Sequence, residues 1–205
     1  MFTELKFDTE IIQSTHLGHH AIYSFKNVFS VEYLQKILDR TKELTIEDTL
    51  NHTTNVKANM TTYEKLLDDN LYNEYHSTVL SLLKTCICLR ATHNRLSVNA
   101  IVESWAMKHE EGQETILHSH LGPTWSGCFC VQSDENASEL IFPDFNVSSS
   151  YTSNTLYFWP SNVLHMTSAH ESKNPRYTLA FNIVDTAILS IVKKQIKLEQ
   201  SKEEL

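Results

Sequence analysis

The stretch GQETILHSHLGPTWSGCFCVQ, residues 112–132, contains two short segments whose composition is typical of β-strands. These segments are residues 115–120 and 125–132, and their Thr, Ile, Trp, Phe and Val residues favour extended backbone. Three of the chain's four glycines, at positions 112, 122 and 127, lie in this stretch. The stretch therefore predicts two consecutive strands with glycines around them.

Strand-like segments continue on both sides of this stretch. All seven lie within about 90 residues, and no helical pattern separates them, which favours an antiparallel sandwich or barrel over a parallel α/β sheet. The predicted fold class is mainly β with flanking helices. The five further segments are residues 98–107, 139–142, 154–159, 164–169 and 176–184.

Helical periodicity appears outside the strand-rich region. Residues 31–48 and 63–84 carry apolar side chains at helical spacing, and Ser30 is positioned to cap the first helix. The polar residues 49–62 between them predict a surface loop. Residues 185–205 return to helical periodicity and end in a charged run.

The chain is therefore expected to form one structural domain with three regions. Residues 1–97 are predicted to be a helical support region with an early strand at AIYSF, residues 98–184 the β core, and residues 185–205 a helical tail.

Composition narrows the possible functions. The chain has 205 residues, of which 41% are hydrophobic and 20% charged, values typical of a globular domain. A formal charge of -8 argues against a general nucleic-acid or anionic-membrane binder. The sequence has no apolar run of about 18 residues for a membrane span, and its start lacks the pattern of a secretion signal. A cytoplasmic location is predicted.

Three histidines form the strongest candidate metal site. His118 and His120 are two residues apart in a predicted strand, so both imidazoles are expected on one face. His165, at the start of a later strand, is the candidate third ligand. His170 is a rival, but it lies in a turn-forming stretch. His16, His19 and His20 have no carboxylate or cysteine at ligand spacing and are interpreted as surface residues.

Arg176 is a candidate anion-binding residue, and Thr178 shares its face of a predicted strand. A guanidinium buried in a β core needs an anionic partner, and its forked donors match a carboxylate.

The four cysteines form two C-x-C pairs, at 86/88 and 128/130. A zinc site built from both pairs is one interpretation, but zinc sites commonly use longer spacings and both pairs have apolar neighbours. Buried thiols are the favoured interpretation. Trp105, Trp125 and Trp159 are interpreted as core or cleft wall, since this acidic chain lacks the interleaving of basic and aromatic residues that a single-stranded nucleic-acid groove needs.

Over about residues 101–184 the chain resembles the iron(II)- and 2-oxoglutarate-dependent oxygenases, specifically the prolyl-hydroxylase-like group and a branch of it found in bacteria and phages. The order and spacing of several short pieces carry the resemblance. These are Trp105, Gly112, His118-Ser119-His120, Ser126-Gly127, Glu139-Leu-Ile-Phe142, Tyr157-Phe-Trp-Pro-Ser161, His165 and Arg176-Tyr-Thr-Leu-Ala-Phe-Asn182.

The resemblance implies a double-stranded β-helix of jelly-roll type with helices supporting one sheet. It implies that iron is held by His118, the residue at 120 and His165, and that Arg176, with Thr178, binds the far carboxylate of 2-oxoglutarate. The family's aspartate is replaced by His120, which removes one negative charge from the ligands. Asp144 or Glu139 is an alternative source of a carboxylate. Thr115 stands where the family often has a tyrosine contacting 2-oxoglutarate.

The resemblance implies a dioxygenase that hydroxylates a small-molecule or protein substrate and releases succinate and CO2. One alternative is a three-histidine, cupin-type dioxygenase that does not use 2-oxoglutarate. Another is a non-catalytic binding module on a decayed oxygenase fold. Decarboxylation of 2-oxoglutarate separates the three.

Overall fold

Two antiparallel sheets form the centre of the molecule. The computed structural model describes residues 8–14, 21–47, 54–90 and 99–186. A seven-stranded sheet has the order β1-β2-β8-β5-β10-β4-β3, and a three-stranded sheet has the order β7-β6-β9. The strands are β1 (Asp8–Ser14), β2 (Ala21–Lys26), β3 (Asn59–Met60), β4 (Asn99–His109), β5 (Trp125–Gln132), β6 (Glu139–Phe142), β7 (Val147–Ser150), β8 (Thr155–Pro160), β9 (Met166–Thr167) and β10 (Arg176–Asp185).

Alternation along the central strands gives the large sheet two buried faces. In β5, Phe129 and Val131 face one way and Cys128 and Cys130 face the other, as period-two geometry requires. The outer face packs against the helices, and the inner face packs against the small sheet. Each face carries a buried apolar cluster because each face is covered.

Two helices cover the outer face. α1 (Val31–Glu47) contacts β4, β5 and β10, and α2 (Asn73–Arg90) contacts β4. The predicted cap is present, since the Ser30 side-chain oxygen accepts from the Tyr33 backbone N–H at 3.2 Å. The expectation that helices support one sheet is confirmed. No described helix is both long and apolar enough to cross a membrane.

Cys128 and Cys130 are buried free thiols on the inner face. Burial raises the pKa of Cys128 to about 12, and burial also raises the pKa of Cys130, so neither is a thiolate at neutral pH. This agrees with the buried-thiol interpretation. The side chains of Cys86 and Cys88 lie outside the described residues.

The second helix begins later than the predicted residue 63. Asp69 accepts from the Leu71 N–H and begins a 3-10 turn at Asn70–Tyr72, and the α-helix starts at Asn73. Leu66 is buried in the preceding turn segment, so its apolar spacing reflects tertiary burial and not a helix.

The predicted strand at residues 115–120 is wrong as a regular strand. This segment forms only isolated bridges, Val56 to Thr115 and His118 to His165. The predicted strand at 164–169 shrinks to β9. The sequence does not predict β3 and β7, because β3 has two residues and the VSSS sequence of β7 has little β-forming character. The predicted helical tail from residue 187 onward and the histidines at 16, 19 and 20 lie outside the described residues.

Candidate metal centre

His118, His120 and His165 come together at the mouth of the space between the sheets. One ligand atom from each lies within 4.8 Å of the others, and this is the only such group among the described parts of the chain. The ring centroids of His118 and His165 are 4.2 Å apart, and that of His120 is 5.0 Å and 5.1 Å from them. The three imidazoles can therefore share one ion.

Hydrogen bonds set the tautomers of His118 and His165. Each Nδ1 lies next to a backbone carbonyl two residues earlier, that of Ile116 at 2.8 Å and that of Val163 at 2.9 Å. A carbonyl oxygen only accepts, so each Nδ1 carries the proton and each Nε2 keeps a lone pair. Metal-binding histidines commonly have this arrangement.

His120 is oriented by side chains of the large sheet. Its Nδ1 is 2.6 Å from Asn182 Oδ1 and 2.9 Å from the Ser126 hydroxyl, which itself donates to Asn182 Oδ1 at 2.7 Å. The other end of the Asn182 amide donates to Glu103 Oε2 at 2.5 Å. His120 thus reaches a carboxylate through one intervening amide.

The three imidazoles are held neutral. Burial lowers the pKa of His118, His120 and His165, and the pKa of His165, which also faces His118, falls to about 3. Asn182 and the Glu103 charge oppose the lowering at His120. Neutral imidazole is the form that binds a metal, so the site is in its binding form at neutral pH.

Neither alternative carboxylate joins the histidines. Asp144 is exposed after β6, and neither it nor Glu139 belongs to the metal-ligand group. His170 is also separate, since its Nε2 lies 2.7 Å from the Asn174 carbonyl. The structure therefore groups the residues at 118, 120 and 165 and leaves out their rivals.

Arg176 is fully buried at the opposite end of the same inner face. Its Nη1 donates to the Ser138 hydroxyl, and its Cζ is 4.3 Å from the centre of the Tyr151 ring. Its Nε and the buried Thr178 hydroxyl have no hydrogen-bond partner. Among the described residues, no carboxylate lies within ion-pair distance of Arg176.

Burying a cation without an anion costs free energy, so the space around Arg176 and Thr178 fits an anionic ligand. The inner-facing residues of β10 run from Arg176 through Thr178 and Ala180 to Asn182, beside His120. The strand thus spans from the candidate anion site to the metal site.

Two spaces adjoin the histidines. An inner cavity of about 50 Å³ is lined by all three of them and by Tyr151 and Trp159. An outer pocket of about 590 Å³ shares His118, His120 and Trp105 with it. The outer pocket offers room for a substrate next to the metal site.

Sequence reasoning missed Tyr151 and Glu103. Tyr151 is buried between the inner cavity and Arg176, and its hydroxyl lies 3.6 Å from Cys128 Sγ. It follows a serine-rich strand and has no local pattern to single it out. Glu103 sits mid-strand, where only the register of β4 with β10 brings it near His120.

No protein-family model matches the sequence, and no curated protein matches it either. Solved structures do match. A Pseudomonas putida prolyl-4-hydroxylase is 9% identical with a TM-score of 0.61, covering 82% of this chain and 95% of that one. The viral collagen prolyl hydroxylase from Paramecium Bursaria Chlorella virus-1, in a 2-oxoglutarate complex, is 11% identical with a TM-score of 0.59, covering 79% and 94%.

The epimerase SnoN, solved with Fe3+, alpha ketoglutarate and nogalamycin RO, is 10% identical with a TM-score of 0.64, covering 80% of this chain and 78% of that one. These similarities confirm the predicted fold: the chain has the jelly-roll fold of the 2-oxoglutarate- and iron(II)-dependent oxygenases.

Proposed function

We propose that the protein is an Fe(II)- and 2-oxoglutarate-dependent dioxygenase that hydroxylates its substrate. The observation that carries the proposal is the pairing of two features on one inner face. Three neutral imidazoles converge at one end, and a buried arginine without a carboxylate lies at the other. A keto acid with a second carboxylate is a ligand that engages both.

The donor set fits iron(II). Imidazole nitrogen suits Fe, Zn, Ni and Cu, and three ligands leave coordination positions open for co-substrate and O2. His118, His120 and His165 would hold the ion through Nε2, because their Nδ1 atoms face oxygens. Ligand orientation is already set before the metal binds.

The space around Arg176 and Thr178 fits the far carboxylate of 2-oxoglutarate. Arg176 Nε and Thr178 Oγ1 are buried polar atoms without partners, and a carboxylate can accept from both. Tyr151 packs on the guanidinium, and its hydroxyl lies beside Cys128 Sγ, which is a weak hydrogen-bond partner. We propose that Tyr151 takes the role that Thr115 cannot fill, by donating its hydroxyl to the same carboxylate.

When bound, iron(II) and 2-oxoglutarate supply the oxidising chemistry, with succinate and CO2 as co-products. The chain's own residues position the ligands and exclude water. Trp159 packs 4.7 Å from His165 and Trp105 packs 6.4 Å from His120, ring centre to ring centre. The outer pocket admits a small molecule or a protein side chain beside His118 and His120.

A second candidate function is a three-histidine dioxygenase whose substrate binds the metal directly. The observation in its favour is His120 itself, which gives a ligand set without a carboxylate. In that function Arg176 binds a carboxylate of the substrate.

Anaerobic calorimetry with 2-oxoglutarate, followed by succinate detection by NMR after adding O2 to the Fe(II)-loaded protein, tests both candidates. We expect 2-oxoglutarate to bind only with metal present and succinate to accumulate. His118→Ala is the negative control. Oxygen uptake with a carboxylate substrate but without 2-oxoglutarate would instead establish the second candidate. If the protein binds neither metal nor 2-oxoglutarate, both candidates are contradicted, and the result points to a binding module.

A further inference from the structure

We infer that Glu103, acting through Asn182, fixes the metal-binding tautomer of His120 and supplies the negative charge that the ligand set lacks. Glu103 and Asn182 are positioning residues in this inference, since neither belongs to the group of possible metal ligands. The inference rests on the proposed metal site, but its central claim concerns the metal-free protein and can be measured there.

Sheet register brings the three polar partners into one row. Asn182 of β10 pairs with Glu103 of β4 on one side and with Ser126 of β5 on the other. The pattern of the strands puts all three side chains on the inner face, where Asn182 and Ser126 contact His120 and Glu103 contacts Asn182. The row is therefore built into the central strands and does not depend on a loop.

The Glu103 carboxylate determines which atom donates and which accepts in each hydrogen bond of this row. An ionised carboxylate only accepts, so Asn182 must turn its NH2 group toward Glu103 Oε2. The Asn182 carbonyl oxygen then faces His120 Nδ1, at 2.6 Å. That oxygen also only accepts, so Nδ1 carries the proton and Nε2 is left with its lone pair for a metal.

The opposite amide orientation is disfavoured twice. It would place two acceptors, Asn182 Oδ1 and the Glu103 carboxylate, at hydrogen-bond distance from each other. It would also offer an NH2 group to His120 Nδ1, which moves the imidazole proton to Nε2 and blocks metal binding. The Ser126 hydroxyl bonds to both His120 and Asn182 but can donate or accept, so it cannot make this choice.

Glu103 also carries charge. Among the described residues no cation lies within ion-pair distance of its carboxylate, so its charge is not cancelled locally. Hydrogen bonds that link a carboxylate to a ligating histidine raise the basicity of that imidazole as a metal ligand. The carboxylate that the resemblance places in direct contact with iron is thus found here one amide further out.

The tautomer is measured in the metal-free protein from the 15N shifts of the His120 ring nitrogens. We expect Nδ1–H in the unchanged protein and a loss of that preference in Glu103→Gln, because a glutamine side chain accepts either amide orientation. Co(II) affinity by calorimetry should fall about 10- to 100-fold, as for other partners of metal ligands. Glu110→Gln, just beyond the C-terminal end of β4, is the matched control and should change neither value.

The double variant Glu103→Gln with Asn182→Asp separates this role from a structural one. The introduced aspartate would again present only acceptor oxygens to His120, and the introduced glutamine would donate to that aspartate, so the tautomer and most of the Co(II) affinity should return. An unchanged His120 tautomer in Glu103→Gln would overturn the inference. So would a double variant, folded by circular dichroism, that fails to restore the tautomer. If the unchanged protein shows the expected Nδ1–H tautomer of His120 but no detectable Co(II) binding, that result would contradict the proposed function alone.

Discussion

His118 and His165 exchange two backbone hydrogen bonds, from His118 N to His165 O at 3.0 Å and from His165 N to His118 O at 2.9 Å. The pair is an isolated antiparallel bridge between two segments far apart in the chain. These bonds use only main-chain atoms, so the bridge does not depend on the imidazoles. The two candidate ligands are thus positioned by the backbone.

Replacing any one of the three histidines with alanine should therefore strongly weaken metal binding and leave the fold intact. Loss of one ligand should weaken Fe(II) or Co(II) binding by at least about a hundredfold. Even the loss of a residue that only hydrogen-bonds to a metal ligand lowers metal affinity by about 10- to 100-fold. Calorimetry measures the affinity, and circular dichroism measures the fold. His170→Ala, a buried histidine outside the group, should keep full metal affinity. Unfolding of all three variants without metal would indicate a structural role.

Arg176→Lys should weaken 2-oxoglutarate binding while metal affinity stays nearly unchanged. Lysine keeps the charge but cannot donate two parallel hydrogen bonds to one carboxylate, as a guanidinium does. Charge-assisted hydrogen bonds contribute about 1.5 to 3 kcal/mol, so Arg176→Ala should lower the affinity at least about tenfold. Calorimetry in the presence of a divalent metal measures both variants. Arg40→Lys is the control, since Arg40 pairs with Asp69 and Glu43 at the surface. Equal affinities in Arg176→Ala and the unchanged protein would show that 2-oxoglutarate binds elsewhere.

The low pKa of His165 predicts acid sensitivity of the metal-free protein. Its folded pKa of about 3 lies below the unperturbed value of about 6.5, so between these pH values the unfolded chain binds more protons. The free energy of unfolding should consequently fall as the pH drops from about 6.5 toward about 3. Urea unfolding at several pH values measures this. His165→Gln should lose less stability across that window, and an identical pH dependence in both proteins would contradict the lowered pKa.

The same lowering bears on metal retention. Protons compete with a metal for an imidazole only near or below its pKa, and burial lowers the pKa of all three ligands. Metal should therefore stay bound to lower pH than it would at histidines with the ordinary pKa of about 6.5. Co(II) absorbance followed during acid titration measures the release. Release centred at or above about pH 6.5 would be inconsistent with buried neutral ligands.

Gly127→Ala should strongly destabilise the protein. A Cβ at this position would lie 2.3 Å from both Phe181 Cζ and the Tyr157 carbonyl oxygen, and the backbone atom cannot give way cheaply. Overpacking of this kind costs about 1 to 3 kcal/mol or more. Gly112→Ala meets nothing within 4 Å and carries only the strain of its positive φ of 81°, so it should cost less. Urea midpoints give the comparison, and equal losses would contradict this account.

Local patterns explain what the sequence determined. α1 was predicted at residues 31–48 and lies at Val31–Glu47, because its cap and apolar stripe lie within the segment itself. The strands that became β5, β6 and β10 were predicted within two residues, because β-branched and aromatic runs bounded by polar residues define them locally. Residue type and spacing also named the three histidines and Arg176 as candidate binding residues, and their binding roles stay predictions.

Tertiary structure decided what depends on contacts between distant segments. The His118 segment proved to be held by isolated bridges, and α2 began only at Asn73, because burial against other elements produced the apolar spacing before it. Asn182, 62 residues from His120, and Glu103, 79 residues from Asn182, meet only through strand register. Register depends on pairing across the whole sheet, so a single sequence names the candidate ligands while the folded sheet selects the residues that orient them.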